Sequence, residues 1–197
     1  MIVNKAVRAE EPNTLDRILV NALEHFSNFG YVGASVREIT QAAHVTKPTL
    51  YYYFKNKEEL YRGIANSCSE KIYSGLKESI SGQGTVAHKF LNLVTVYNGL
   101  CDDDLPAVKF MFLISFTPGR GIPDVGIHEF NNKITDLVKE IVQTGVTKGE
   151  VPNGRAECLS LLLNGLLATT MSSRVMGTPI PMTSLEKAIS CALVGGP

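Results

Sequence analysis

No two cysteines lie close together in this 197-residue chain. Cys68, Cys101, Cys158 and Cys191 are spread along it, which excludes a disulfide framework and a zinc-ligand spacing and fits a reducing compartment. Long apolar runs are missing too. Phe110 to Phe116, and Leu159 to Met171 with Asn164 and Gly165 inside it, fall short of the ~20 residues a membrane helix needs. The opening stretch, Met1 to Pro12, mixes Lys5, Arg8, Glu10 and Glu11 and lacks the apolar core of a signal peptide. A cytoplasmic protein with no membrane partner is expected. Net charge is also absent, because 19 Lys and Arg balance 19 Asp and Glu. This removes any whole-molecule attraction to nucleic acid or anionic lipid, so a DNA-binding function must rest on local charge.

Catalytic signatures are absent as well. There is no H-E-x-x-H, no G-x-S-x-G, no phosphate-cradling glycine loop and no well-framed carboxylate pair. Gly119-Arg120-Gly121 belongs to a loop, Thr117 to Pro123, and His25, His44, His88 and His128 have no metal spacing. Neither catalytic residues nor a metal or cofactor are expected. What the chain has is a composition of 44% hydrophobic and 19% charged residues, enough to fill a core, and helical periodicity nearly throughout.

Leu15, Ile18, Leu19, Ala22, Leu23 and Phe26 recur at three- and four-residue steps, which predicts a first helix over 14–29 closed by Gly30. Ser35 and Glu38 form a capping box for a short second helix that stops near Ala43. After a break at His44, Val45 and Thr46, Thr46 caps a third helix with Pro48 in its first turn. Asn56 and Glu59 repeat the capping pattern and open a longer fourth helix through Leu60, Ile64, Cys68 and Ile72. Beyond Ser81 to Gly84, apolar helices are predicted at about 85–100, 105–116, 124–148, 154–175 and 183–194. The acidic run Asp102 to Asp104 with Pro106 supplies one start. No strand-like alternation and no repeat interrupts them. The fold class is all-α, with a small domain over 1–64, its first twelve residues flexible, and a larger helical domain over 65–197.

Two short helices joined by a three-residue break have the layout of a helix-turn-helix DNA reader. Leu50 and Phe54 can face the core with Ile39 and Phe26. Lys47, Pro48, Thr49, Tyr51, Tyr52 and Tyr53 then occupy the open sides. Lys47 can donate to guanine, Pro48 can touch a thymine methyl, and Thr46, Thr49 and the tyrosines suit bases or phosphates. Arg37 and Lys57 extend the set along the backbone. A helix-loop-helix is more often plain scaffold, but a helix cannot bury three tyrosines in a row. Residues 1–65 hold eight basic and seven acidic side chains. The electrostatic footprint therefore reduces to Arg37, Lys47, Lys55 and Lys57, with Glu38 against them.

Val45 to Leu60, V-T-K-P-T-L-Y-Y-Y-F-K-N-K-E-E-L, resembles the DNA-binding signature of the TetR family of bacterial repressors, and Ala22 to Ile39 extends the similarity. Thr40, where a small apolar residue is usual, and His44, where glycine is usual, depart from the pattern. His44 must then take a turn conformation that glycine adopts more readily. The resemblance implies a dimeric repressor of a palindromic double-stranded DNA operator, released by a small effector bound in the larger domain. Phe90, Val94, Tyr97, Phe110, Met111 and Ile114 are candidates to line that effector site, with Phe130, Ile134 and Met171. Phe116 could join them, and Asn98, Asn131 or His128 could act as polar handles. Few ionic groups accompany them, so the expected effector is uncharged or weakly charged and mostly apolar. Taken singly, each of these residues is more often plain core, because apolar periodicity alone does not tell a filled core from a hollow one. A homodimer is expected through the last two helices, carried by Leu159, Leu163, Leu166, Leu167 and Thr170 and by Leu185, Ile189 and Leu193. The alternative is a helical ligand carrier or interaction protein that keeps this architecture without gene control.

Overall fold

The computed structural model describes residues 13–116 and 121–194. The expected flexibility of the first twelve residues, and most of the Thr117 to Pro123 loop, lie outside them. The described residues form nine α-helices and one short 3-10 turn, without a strand. They fall into two compact units, 13–67 with 121–125, and 68–116 with 126–194. The division therefore follows Ser67 rather than residue 64.

The first unit holds α1 (Thr14–Gly33), α2 (Val36–Ala42), α3 (Lys47–Tyr53) and the opening of α4 (Lys57–Ser79). The α1 stripe buries Ile18, Ala22 and Phe26. At Gly30, φ +66° interrupts the helical dihedrals where the sequence placed the end of the helix, and one further turn follows. Ser35 occupies the N-cap of α2, but its hydroxyl accepts no helix N–H, so the expected capping box does not form. Arg37 and Glu38 are exposed there, and water can serve the first-turn amides instead. The later caps do form. The Thr46 hydroxyl accepts the Thr49 N–H (3.2 Å), and Asn56 Oδ1 accepts that of Glu59 (2.8 Å). The Glu59 carboxylate reaches back to the N–H of Lys55 (2.7 Å), one residue earlier than the standard box.

The second unit holds the rest of α4 with α5 (Val86–Asp103), α6 (Leu105–Phe116), α7 (Ile127–Thr147), α8 (Ala156–Val175) and α9 (Met182–Val194). Only Asp104 of the acidic run starts α6. Asp102 and Asp103 complete α5, which runs on because the Asp104 N–H still donates to the Leu100 carbonyl (2.9 Å). Asp104 also pairs with Lys71 of α4 at 2.6 Å. Helix α7 has one apolar face, Phe130, Ile134, Leu137, Val138 and Ile141. It approaches α5 so closely that a Cβ on Gly145 would lie 2.2 Å from Val86 Cγ2. Among the described residues no helix is long and apolar enough to cross a membrane.

Candidate functional site

The turn between α2 and α3 sets the geometry of the first unit. His44 takes φ +52°, the left-handed value its position demands, and is the one non-glycine residue with positive φ among those described. Thr40, the other departure from the family pattern, is buried but not unsatisfied. Its hydroxyl donates to the Arg37 carbonyl (2.9 Å) and its own carbonyl accepts the Val45 N–H (3.0 Å). The threonine thus contributes a bond on each side of the turn. Leu50 is fully buried, as are Ile39 and Phe26, while Phe54 is half-buried beside Gly63 of α4.

With Leu50 inward, α3 turns the rest of its surface to solvent. Thr46, Lys47 and Pro48 are exposed, as are Tyr51, Tyr52 and Tyr53, with Tyr52 retaining 83% of its accessible surface; Thr49 is half-buried. Arg37 is exposed on α2. The structure therefore brings eight of the nine expected DNA contacts onto α3, its cap and α2. Two of the hydroxyls are partly committed, because Thr46 and Thr49 share a hydrogen bond of 2.8 Å. The ninth, Lys57, is half-buried with its ammonium 4.6 Å from the centre of the Tyr31 ring, and burial lowers its pKa. Tyr31 is the member the sequence reading missed. It packs at 4.9 Å against buried Tyr61, which meets Phe26 at 5.0 Å, so Lys57 stands on an aromatic stack rooted in the core. In the same unit, Arg62 of α4 donates to the Asp124 carbonyl and pairs with Glu58 (2.9 Å).

The second unit contains an apolar cavity of about 160 Å³. Five expected lining residues, Tyr97, Met111, Phe130, Ile134 and Met171, do line it, together with Phe116 and Asn131. Phe90, Val94 and Phe110 are buried elsewhere, and Ile114 does not line it. Asn98 also lies off the cavity, with its amide 3.7 Å from Met182 Sδ and its carbonyl accepting from Arg174 (3.2 Å). His128 is exposed. Unanticipated walls are Ile72, Val108, Phe112, Ser115, Asn164 and Ala168, with Leu167. Because the apolar residues of α6 and α8 are spread around each helix rather than gathered on one face, periodicity gave no hint of which face turns inward.

The residues expected between two copies are mostly inside one. Leu159, Leu163, Leu167, Thr170, Leu185 and Ile189 are buried within the unit, and Leu166 and Leu193 are half-buried. This corrects the sequence reading, in which density of leucine stood in for orientation. The open side of α8 instead shows Leu161 (74% exposed), Leu162 (53%), Gly165 and Thr169, and that of α9 shows Ala188 and Cys191.

A helix-turn-helix head with an exposed third helix is the layout of a DNA-binding domain. Residues 18–64 match the family model described as "Bacterial regulatory proteins, tetR family". The chain is 40% identical over 53 residues to the biofilm operon icaADBC negative transcriptional regulator IcaR of Staphylococcus epidermidis, a match covering 27% of this chain and 29% of that relative. It is 26% identical over 147 residues to the transcriptional regulator UidR of Escherichia coli K12, covering 74% of this chain and 72% of the relative. Among solved structures, the regulator FadR from Bacillus subtilis in complex with stearoyl-CoA superposes with a TM-score of 0.72 at 20% identity, over 92% of this chain and 98% of that one. A TetR-like regulator from Rhodococcus sp. RHA1 gives 0.76 at 16% identity, over 96% and 100%. Residues 18–64 thus carry a DNA-binding domain of the tetR-family type, and the chain shares its fold with solved regulators of that family.

Proposed function

We propose that the protein is a repressor that binds a near-palindromic operator as a homodimer and is released by a small, mostly apolar effector held in the cavity of the second unit. The observation that carries the reading is the orientation of α3. It buries Leu50 and leaves Lys47, Pro48 and the three tyrosines open to a major groove. The name of the staphylococcal relative, a negative transcriptional regulator, supports repression. Dimerisation rests on the exposed Leu161 and Leu162, whose apolar surface on α8 a second copy would cover, and Leu161→Glu with Leu162→Glu should give monomers by sedimentation.

In that dimer the two α3 helices enter successive major grooves about 34–36 Å apart. Lys47 reads a base edge, whereas Arg37, Lys57 and the tyrosine hydroxyls hold phosphates. Helix α4 supplies the coupling. Ile72 on it lines the cavity and Lys57 begins it, about four turns away. An effector that favours a misaligned head by about 1–3 kcal/mol weakens DNA binding about 5–150-fold, and DNA weakens effector binding equally.

A gel shift on the DNA upstream of the protein's own gene tests the reading. We expect a retarded complex that Lys47→Ala weakens by about 1–3 kcal/mol while relaxing preference at one base position. Absence of any shifted complex would instead leave a helical ligand carrier without gene control.

A further inference from the structure

The cavity of the second unit has walls specific enough to name the chemistry of its occupant. Its volume, about 160 Å³, matches the roughly 150 Å³ of an engineered apolar cavity that binds benzene. A single six-membered ring with a small substituent fills it. No Lys, Arg, His, Asp or Glu stands among the lining residues, and an ionised ligand would enter apolar walls without a partner, at a large desolvation cost.

Four polar side chains, those of Tyr97, Asn164, Asn131 and Ser115, break the apolar wall. Tyr97 is 1% exposed and its hydroxyl has no nitrogen or oxygen partner. The weakly accepting thiol of Cys101 is the polar group beside it, and burial, then that thiol, push the phenol far above its usual range, so it stays protonated and can donate. Asn164 gives its amide nitrogen to the Ser160 carbonyl (2.9 Å). A carbonyl only accepts, so the Asn164 Nδ2 is fixed as the donor there and Oδ1 is left as an acceptor. The third, Asn131, is engaged by the Ser115 hydroxyl at 3.1 Å, which also lies 2.8 Å from the Met111 carbonyl. One hydroxyl proton serves only one of these, and Asn131 keeps one amide atom to offer in either case. A buried hydroxyl whose neighbour is only a weakly accepting thiol costs free energy that a stronger ligand acceptor would recover.

We propose that this cavity takes a single-ring, uncharged molecule bearing one hydrogen-bond acceptor for the Tyr97 hydroxyl and one donor for Asn164 Oδ1, the chemistry of a phenol or an aromatic amide. The proposal rests on the effector reading above and narrows it. Arg174 is the nearest cation to this wall, one turn from Met171, but it is paired with Asp102 and the Asn98 carbonyl and does not line the cavity.

The test is calorimetric titration of the full-length protein with benzamide, benzoate and toluene, accompanied by thermal melts and by the gel shift on the same preparation. Benzamide and benzoate share a shape and differ in charge, and toluene keeps the ring without polar atoms. We expect benzamide to bind and raise the melting temperature, benzoate to bind at least tenfold more weakly, and toluene to fall between them. Tyr97→Phe and Asn164→Leu should each weaken benzamide by about three- to tenfold and leave toluene unchanged. Failure of benzamide to bind at millimolar concentration overturns the proposal. So does unaltered benzamide binding in both variants, and so does benzoate binding as tightly as benzamide, which would transfer the role to Arg174. The regulatory reading fails separately. If benzamide behaves as expected but no DNA is shifted, the cavity assignment stands without gene control; if DNA is shifted and benzamide is ignored, only this inference falls.

Discussion

The head and the helical body of this protein are held together by different kinds of information. In the head, short helices begin and end at residues whose chemistry leaves little choice: Thr46 and Asn56 at caps, Pro48 in a first turn, His44 at φ +52°. In the body, the apolar residues of α6 and α8 are spread over more than one face, and the orientation of these helices follows from what else packs nearby. Local rules place the first; only tertiary fit places the second.

Replacing one core residue in the head should have the largest effect. Leu50 is completely buried, and Leu50→Ala should cost about 2–5 kcal/mol. Operator binding should disappear while most far-ultraviolet helical signal remains. Simultaneous loss of both would show that the two units unfold as one and would blur the contrast. The matching lesion in the body is Gly145→Ala. The added Cβ meets Val86 at 2.2 Å and Val151 at 3.1 Å, so about 1–3 kcal/mol should be lost in chemical denaturation, with operator affinity of the folded protein unchanged.

The contrast also explains what could be read in advance. The α3 face was legible because three adjacent tyrosines and Lys47 cannot all point inward around one buried leucine. Tyr31 escaped notice because its role depends on Lys57 and Tyr61, which meet it only after folding. In the body, seven of the thirteen candidate cavity residues line it, on α5, α6, α7 and α8. Asn164, Ser115 and Ala168 look like unremarkable helix-surface residues in sequence, and nothing in their spacing marks a cavity. The leucines of α8 misled in the opposite direction, since their number is the same whether they face a partner or the core.

Smaller changes sharpen the comparison. Thr46→Ala removes a cap that holds the Thr49 N–H at 3.2 Å, and should cost about 1 kcal/mol in thermal stability. Lys57→Ala removes the ammonium over Tyr31, worth about 0.5–1 kcal/mol of stability. In operator binding it should lower the salt slope by about one unit for all sequences alike. The least costly measurement is thiol labelling of the native protein at pH 8. Cys158 and Cys191 are exposed and should react, whereas Cys68 and Cys101 are buried and should react only on unfolding. Burial pushes the Cys68 thiol up to about 12. A thiol whose pKa is raised on folding stabilises the native state below its ordinary value of 9.0, and this contribution fades as pH climbs from there through about 12. Slow labelling of Cys158 and Cys191 at high protein concentration, and fast labelling on dilution, would report their burial between copies.

Helix α8 also governs how freely the sequence can drift. On α7, Asp136, Lys139, Glu140 and Gln143 give one side over to solvent, where substitutions usually cost within about 0.5 kcal/mol. On α8, Asn164, Leu167 and Ala168 border the cavity, Leu163 sits in the core, and Leu161 and Leu162 form the outward apolar surface. Few positions in its middle are spare. A saturation library scored for folded, DNA-binding protein should therefore show a tolerant stripe along α7 at every fourth or third residue and almost none along α8. A lineage adapting this body to a new small molecule would change α8 through paired substitutions more often than through single ones.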